Sequence, residues 1–300
     1  MKKISIFENH LPGAANYFDF NLRVRTPPTA LSPSRLFPTS WTLVRRLPHD
    51  PSAFTQGLAL HGRTLFEATG GYGTSGLRAV SLAGARYTTL QQQPLPPRVF
   101  GEGIALWPPV APNSALQLQW HGGLATRWSL SPELRAAGPP LSFSTSTGEG
   151  WGLAALDAAR LVMSDGSATL HVVAPRGGAL VEAAPRVQAT LPSGAPLHRL
   201  NALTGAHGWV LANVWGEARV AVISPTTGRV ASLLDFAPLA AENAGRGEDG
   251  VMNGLAYTVQ LDVAGGAPGA VAGEAWGGRL FLTGKLWGAM YEVALGGLRS

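Results

Sequence analysis

Short apolar runs alternate with glycine-rich and polar turns along almost the whole chain from Trp41 onward, and each run predicts a β-strand. In the first unit Gly57-Leu58-Ala59-Leu60 is a short strand, His61-Gly62 a hairpin turn, and Thr64 to Thr69 the next strand. Leu77 to Leu82 then alternates with period two, the pattern of a half-buried strand. The same plan returns at Arg160 to Ser167 with Thr169 to Val173, and at Gly208 to Trp215 with Arg219 to Ile223. It returns once more at Gly278 to Trp287 with Met290 to Val293.

A small polar-and-glycine turn opens each unit. The turns are Phe54-Thr55-Gln56-Gly57-Leu58, Phe100-Gly101-Glu102-Gly103-Ile104, Glu149-Gly150-Trp151-Gly152-Leu153, Leu200-Asn201-Ala202-Leu203 and Met252-Asn253-Gly254-Leu255. They recur at roughly 46 to 51 residues, the period of a propeller or another repeat array. Three to four strands per unit make a propeller blade, and five units make a closed ring. The expected fold is therefore all-β, a five-bladed β-propeller, with Trp41 to Arg45 completing the last blade. A pair of β-sandwiches is the alternative, but it leaves the recurring turn unexplained.

In a propeller the turns meet, so Gln56, Glu102, Trp151, Asn201 and Asn253 are expected to converge on the central channel. Residues 107–114, 236–250 and 262–275 read as surface insertions, the last rich in Gly and Ala. Residues 1–40 are rich in Pro, Ser and Arg and are expected to lie outside the fold, as a leader or a disordered extension; 41–300 are expected to form a single β-propeller domain. Lys2-Lys3 is a basic start, yet Glu8-Asn9-His10 interrupts the apolar run that a signal peptide needs.

Composition narrows the partners. The 300 residues carry a formal charge of +5, with Lys and Arg scattered rather than clustered, which argues against nucleic-acid binding. No apolar stretch approaches the length of a transmembrane helix, so membrane insertion is not expected. Cysteine is absent, which removes disulfides, cysteine zinc ligands and thiol nucleophiles together. Neither a Ser-His-Asp elbow, a zinc-type His cluster nor a phosphate-cradling loop is present.

Three kinds of residue carry candidate chemistry. Glu102 lies between two glycines at the entrance of an inner strand, where a structural carboxylate has nothing local to cap. Lys285 ends a strand without a turn role. Trp120, Trp151 and Trp215 recur on successive units; each alone reads as core, but together they form aromatic walls around one carboxylate and one lysine. Asp165-Gly166 reads as an ordinary hairpin turn.

The run Pro48-His49-Asp50-Pro51-Ser52-Ala53-Phe54-Thr55-Gln56-Gly57-Leu58 resembles the opening motif of the plant and bacterial glutaminyl-peptide cyclotransferases. The likeness continues through Phe66 to Gly73, Phe100 to Gly103, Glu149 to Leu153 and Met163 to Ser167. It goes on through Leu200-Asn201, Ala212 to Trp215, Met252 to Gly254 and Thr283 to Trp287, in order from about Trp41 to Val293. The resemblance implies a five-bladed propeller that converts the N-terminal glutamine of peptides or proteins into pyroglutamate and releases ammonia. By that likeness Glu102 matches the acid/base, and Phe54, Gln56, Trp120, Trp151, Asn201, Trp215 and Lys285 match pocket residues. Three positions depart from the family pattern: Ala202 replaces a glutamate, Gly288 a proline and Gly71 a leucine. These departures reshape the channel or remove a structural ion ligand, and none removes a matched catalytic position. The resemblance also implies export or entry into the secretory pathway, which the interrupted N-terminal run does not itself support; the compartment stays open.

On that reading Glu102 takes a proton from the substrate amine and returns it to the departing ammonia. Lys285, Gln56 or Asn201 stabilises the oxyanion, and Phe54, Trp120, Trp151 and Trp215 hold the substrate. No metal is required for catalysis, a channel calcium ion would be structural, and the chain is expected to act as a monomer. Two other readings stay open. One is a metal-dependent lactonase-like propeller hydrolase using Glu102, Asn201 and Asn253; the other is a non-catalytic propeller that binds peptide N-termini.

Overall fold

The computed structural model describes residues 36–83, 86–107, 113–259 and 276–299. Strand β1 (Leu36–Pro48) comes first, and β2 (Thr55–His61), β3 (Thr64–Thr69), β4 (Gly76–Ser81) and β5 (Thr88–Pro94) form an antiparallel sheet. Next come β6 (Gly101–Leu106), β7 (Ser114–Gln119), β8 (Leu124–Ser129), β9 (Arg135–Ala136) and β10 (Leu141–Ser142). They are followed by β11 (Leu153–Ala155), β12 (Leu161–Ser164), β13 (Thr169–Arg176), β14 (Ala179–Glu182) and β15 (Val187–Gln188). These two antiparallel groups are joined into one sheet by the parallel pair Ser142 and Ala179, between β10 and β14.

A further four-stranded sheet runs β16 (Leu200–Ala206), β17 (Trp209–Val214), β18 (Arg219–Ile223) and β19 (Val230–Asp235). After helix α1 (Ala237–Ala241) come β20 (Met252–Thr258), β21 (Arg279–Gly284) and β22 (Ala289–Arg299), and β1 pairs with β22 to complete that sheet. The expected closure by the strand around Trp41 is present. The strand starts earlier than expected, at Leu36, so residues 36–40 belong to the fold; residues 1–35 lie outside the described residues.

The fold is all-β and propeller-like. Hydrogen bonds step from one sheet to the next and return to the start. Gln56 on β2 bonds Glu102 on β6, and Gly103 N donates to Trp151 O at the entrance of β11 (2.8 Å). Ser164 Oγ donates to Asn201 O (2.7 Å), Tyr257 N to Thr204 Oγ1 (3.1 Å), and Asn253 Nδ2 back to Thr55 O (3.1 Å).

The core lies between the faces of neighbouring sheets. Leu65 and Val80 pack against Phe281 and Met290 on one face of the β2–β5 sheet, while Phe66 and Leu77 pack towards Trp128 and Leu134 on the other. This corrects the half-buried reading of Leu77 to Leu82. Its alternation is between two buried faces, and the polar position Arg78 is buried with charged partners. Residues 236–250 are an insertion only in part: 244–249 are exposed as expected, whereas 236–243 are anchored to the core. Phe236 stacks on Trp41 (5.1 Å), and Leu239 and Asn243 are buried, with Asn243 Nδ2 donating to Tyr291 Oη at 2.8 Å. Of the other two expected insertions, 262–275 and 108–112 lie outside the described residues.

Candidate active site

The recurring motif is not a turn before the inner strand but an irregularity within it. β2 slips register between Thr55 and Gly57, β6 between Gly101 and Ile104, β16 between Leu200 and Leu203, and β20 between Met252 and Leu255. A β-bulge at each place re-aims one side chain. The residues inside the four bulges include Gln56, Glu102, Asn201 and Asn253. Trp151 holds the corresponding place just before β11. Glycine is required beside Glu102 because a Cβ on Gly103 would lie 2.6 Å from Leu153 N and Trp151 O.

Glu102 is 5% exposed. Its Oε1 accepts from Gln56 Nε2 at 2.8 Å, while Oε2 is buried with no partner among the described residues. Gln56 is oriented in turn by Asn253, whose Nδ2 donates to Gln56 Oε1 at 2.7 Å. Burial pushes the Glu102 carboxyl well above the usual range; Lys285 opposes this and Glu149 adds to it. Burial likewise pulls the Lys285 ammonium down, against the charges of Glu102 and Asp249.

Lys285 ends near the same place by a different route. Its own N–H donates to Val251 O (2.9 Å), and Leu286, with φ of 61°, donates to Ala53 O (2.7 Å). That crossing brings the loop after β21 against the segment before β2. Lys285 Nζ lies 4.6 Å from the centre of the Phe54 ring. Phe54 meets Phe100 edge-on (6.0 Å), Phe100 meets Trp120 (5.3 Å), and Trp120 stacks on His121 (4.1 Å). On the other side Trp151 meets Trp215 at 6.0 Å, and Trp215 is 38% exposed at the rim.

Trp120 and Trp215 hold equivalent places just past β7 and β17, whereas Trp151 sits at an inner-strand entrance. The three tryptophans are thus not equivalent: Trp120 connects to Phe54 through Phe100, while Trp215 pairs with Trp151. Asn201 joins the site through Ser164, whose Oγ donates to Asn201 O and accepts from Gly152 N (2.8 Å); Asn201 Oδ1 is buried and unpartnered among the described residues.

Several contributors escaped the sequence reading. Asn213 ends the amide chain beyond Asn253, and Phe100 bridges Phe54 to Trp120. Glu149 accepts from the Trp151 indole at 2.8 Å. Phe100 and Glu149 stand within the recurring motifs, so a signal existed; Asn213, at the end of a second strand, had only its repeat position. Asp165 is a turn residue, as read: Oδ1 accepts from Ser167 N (3.1 Å), while Oδ2 meets His171 Nε2 (3.0 Å).

The proposed metal-ligand set is poorly made. Asn253 Oδ1 is taken up by Asn213, and Glu102 Oε1 by Gln56. Among the described residues no group of three or more His, Asp or Glu side chains is placed to hold a metal.

The glutamine cyclotransferase family model matches residues 23–295. The chain is 33% identical over 260 residues to the glutaminyl-peptide cyclotransferase of Arabidopsis thaliana, covering 84% of this chain and 70% of the plant protein. Among solved structures, Myxococcus xanthus glutaminyl cyclase superposes with a TM-score of 0.69 at 33% identity, covering 87% of this chain and all of that one.

Proposed function

The chain belongs to the glutamine cyclotransferase family, and on that premise we propose that it cyclises the N-terminal glutamine of peptides or proteins to pyroglutamate on a five-bladed propeller. The observation that carries this reading is the buried Glu102 carboxylate, one oxygen held by Gln56 and the other buried without a partner among the described residues, with Lys285 interacting electrostatically.

The substrate α-amine attacks the δ-carbonyl carbon of its own side chain. A C–N bond forms, the carbonyl π electrons move to oxygen, and the ionised Glu102 takes a proton from the attacking nitrogen. The tetrahedral species collapses, the original C–N bond breaks, and Glu102 returns that proton to the leaving nitrogen, which departs as ammonia. Atoms and charge balance with one carboxylate acting first as base, then as acid, a role worth on the order of 10²–10⁴ in rate. An α-amine has a pKa of about 8, so a carboxylate held above its usual range is better matched to it.

Lys285 is the cationic candidate for the oxyanion. Asn201 Oδ1 is an acceptor and suits an N–H of the substrate amine or amide, and Gln56 serves Glu102 first. Phe54, Trp120, Trp151 and Trp215 exclude water and hold the side chain folded against its amine. The proton inventory closes without a metal cofactor, and the same reading has the chain acting as a monomer. Residues 41–300, with 36–40 added, serve as the catalytic domain.

The test is ammonia release, with loss of one ammonia mass from a Gln dipeptide, by wild type and Glu102→Gln, each with and without chelator. Chelator-resistant turnover that falls at least a hundredfold in Glu102→Gln supports the reading. Absence of turnover by folded wild type across several Gln peptides, or its loss on chelation, refutes it.

A further inference from the structure

Behind Glu102 lies a line of buried amides that none of the proposed proton transfers uses. Asn213 and Asn253 are fully buried and Gln56 nearly so. The Asn213 amide, turned to satisfy both its ends, donates to Asn253 Oδ1 (2.8 Å) and Met252 O (2.9 Å) and accepts from Val214 N (3.1 Å). Asn253 Nδ2 donates to Thr55 O (3.1 Å) and Gln56 Oε1 (2.7 Å). Gln56 Nε2 donates to Glu102 Oε1 (2.8 Å).

The direction of this line is not free. An isolated amide can turn over and exchange donor for acceptor. Here backbone groups forbid it: the Val214 N–H can only donate, and the Met252 and Thr55 carbonyls can only accept. Turning any one amide over would set acceptor against acceptor in a buried site, at the cost of an unsatisfied polar group. The last amide must therefore present N–H to Glu102.

We propose that Asn213 and Asn253 are positioning residues which, through Gln56, hold Glu102 Oε1 as a permanent hydrogen-bond acceptor, so that Oε2 alone exchanges protons with the substrate. Oε1 is an acceptor whether Glu102 is ionised or neutral. The proton gained from the attacking nitrogen sits on Oε2, and the same oxygen delivers it to the leaving nitrogen without rotation of the carboxyl group. A purely structural network would be satisfied at both ends, whereas this one ends on a carboxyl group whose other oxygen is buried and unpartnered. The charged groups that also act on Glu102 are Lys285 and Glu149, with Asp249 acting on Lys285.

The proton-transfer role rests on the cyclotransferase reading, so the experiment has one arm with turnover and one without. Asn253→Leu and Asn213→Leu are neutral and break the line without adding charge. Each removes the constraint that favours the ionised carboxylate, so the acid limb of kcat/KM moves to higher pH by roughly half a unit to one unit, more in Asn253→Leu. The change falls on kcat, with KM held within about threefold. Independently, the carboxyl stretch of Glu102, assigned by infrared difference against Glu102→Gln, titrates at correspondingly higher pH in both variants.

An unmoved limb and an unmoved carboxyl titration in a variant that melts like wild type overturn the proposal, since a merely structural role lowers activity equally at every pH. If Asn253→Leu does not fold, Asn213→Leu decides alone. If wild type turns over no Gln peptide, the cyclotransferase reading fails, while the infrared titration still decides whether the amide line controls Glu102.

Discussion

Lys285 Nζ stands 4.6 Å from the centre of the Phe54 ring, although 231 residues of sequence separate the two. The contact exists because Leu286 adopts a left-handed backbone and bonds Ala53, so the loop after β21 crosses directly beside the segment leading into β2. An ammonium over an aromatic face keeps a charge partner while losing water, the condition in which a donor to a developing oxyanion acts most strongly.

Lys285→Met keeps most of the side-chain volume and removes the charge. If Lys285 serves the oxyanion, kcat falls by about 10²–10³. The same charge lowers the Glu102 pKa, so its removal raises that pKa further and the acid limb of kcat/KM shifts to higher pH. A pH profile of residual activity checks both. A shift to lower pH would contradict the electrostatic link between the two residues.

Glu149 supplies the opposite sign. Its carboxylate accepts from the Trp151 indole and raises the pKa of Glu102. Glu149→Gln keeps an acceptor for the indole and loses the charge, so the acid limb moves to lower pH. Trp151 stays in place, and KM changes less than kcat at the acid end. Measuring Lys285→Met and Glu149→Gln in the same buffers gives displacements of opposite direction around the wild-type profile.

How far the site was readable depended on whether a residue's role repeats. Gln56, Glu102, Asn201 and Asn253 stand at one place in the repeat because each lies in a bulge of an inner strand, and the tight approach beside Glu102 leaves glycine as its neighbour. Periodicity exposes such positions. The partner of Asn253 is Asn213, on a different strand, and a cross-strand distance has no linear signature. Alternation also misled at Leu77 to Leu82, where packing of sheet against sheet buries both faces and conceals Arg78 beside Glu67. Around residues 236–243 a short apolar stretch read as part of a surface loop, because the burial of Phe236 and Asn243 depends on Trp41 and Tyr291 from distant strands. The family resemblance supplied the reaction; fold class alone would not have done so.

Gly103→Ala tests the packing that sets Glu102. The added methyl would lie 2.6 Å from Leu153 N and Trp151 O and 2.7 Å from Gly152 Cα, all backbone atoms with little freedom to give way. The strand entrances must part, straining the bond from Gly103 N to Trp151 O. The expected loss is about 1–3 kcal/mol of stability by urea unfolding. The folded fraction is expected to lose at least tenfold in kcat/KM, because Glu102 moves with its neighbour. Full activity at reduced stability would separate the packing from the catalytic geometry.

Glu67 provides the clearest pH-dependent contribution to stability. It is fully buried in the β2–β5 sheet, where His49 Nε2 lies 2.9 Å and Arg78 Nη2 3.2 Å from its oxygens; Thr55 Oγ1 donates at 2.6 Å, and Tyr87 bonds it as well. Burial alone would raise its pKa, but the His49 and Arg78 charges and the Thr55 hydroxyl outweigh that and hold it at about 2, below the ordinary 4.5. A depressed folded-state pKa means that the unfolded chain binds more protons between those values. The stabilisation is therefore complete above about pH 4.5 and is lost as pH falls towards 2, an amount of about 3 kcal/mol. Asp50 and Asp165, also lowered to about 2, titrate in the same window, so wild type alone does not isolate Glu67. Glu67→Gln does: it removes the fully buried anion beside Arg78, which keeps Asp50 at 2.6 Å, and costs about 3 kcal/mol at neutral pH. The stability difference between wild type and Glu67→Gln, measured by urea unfolding from pH 7 down to pH 3, should narrow as the pH falls. A constant difference across that range would mean that the charge of Glu67 contributes nothing and that the cost of the substitution is one of packing.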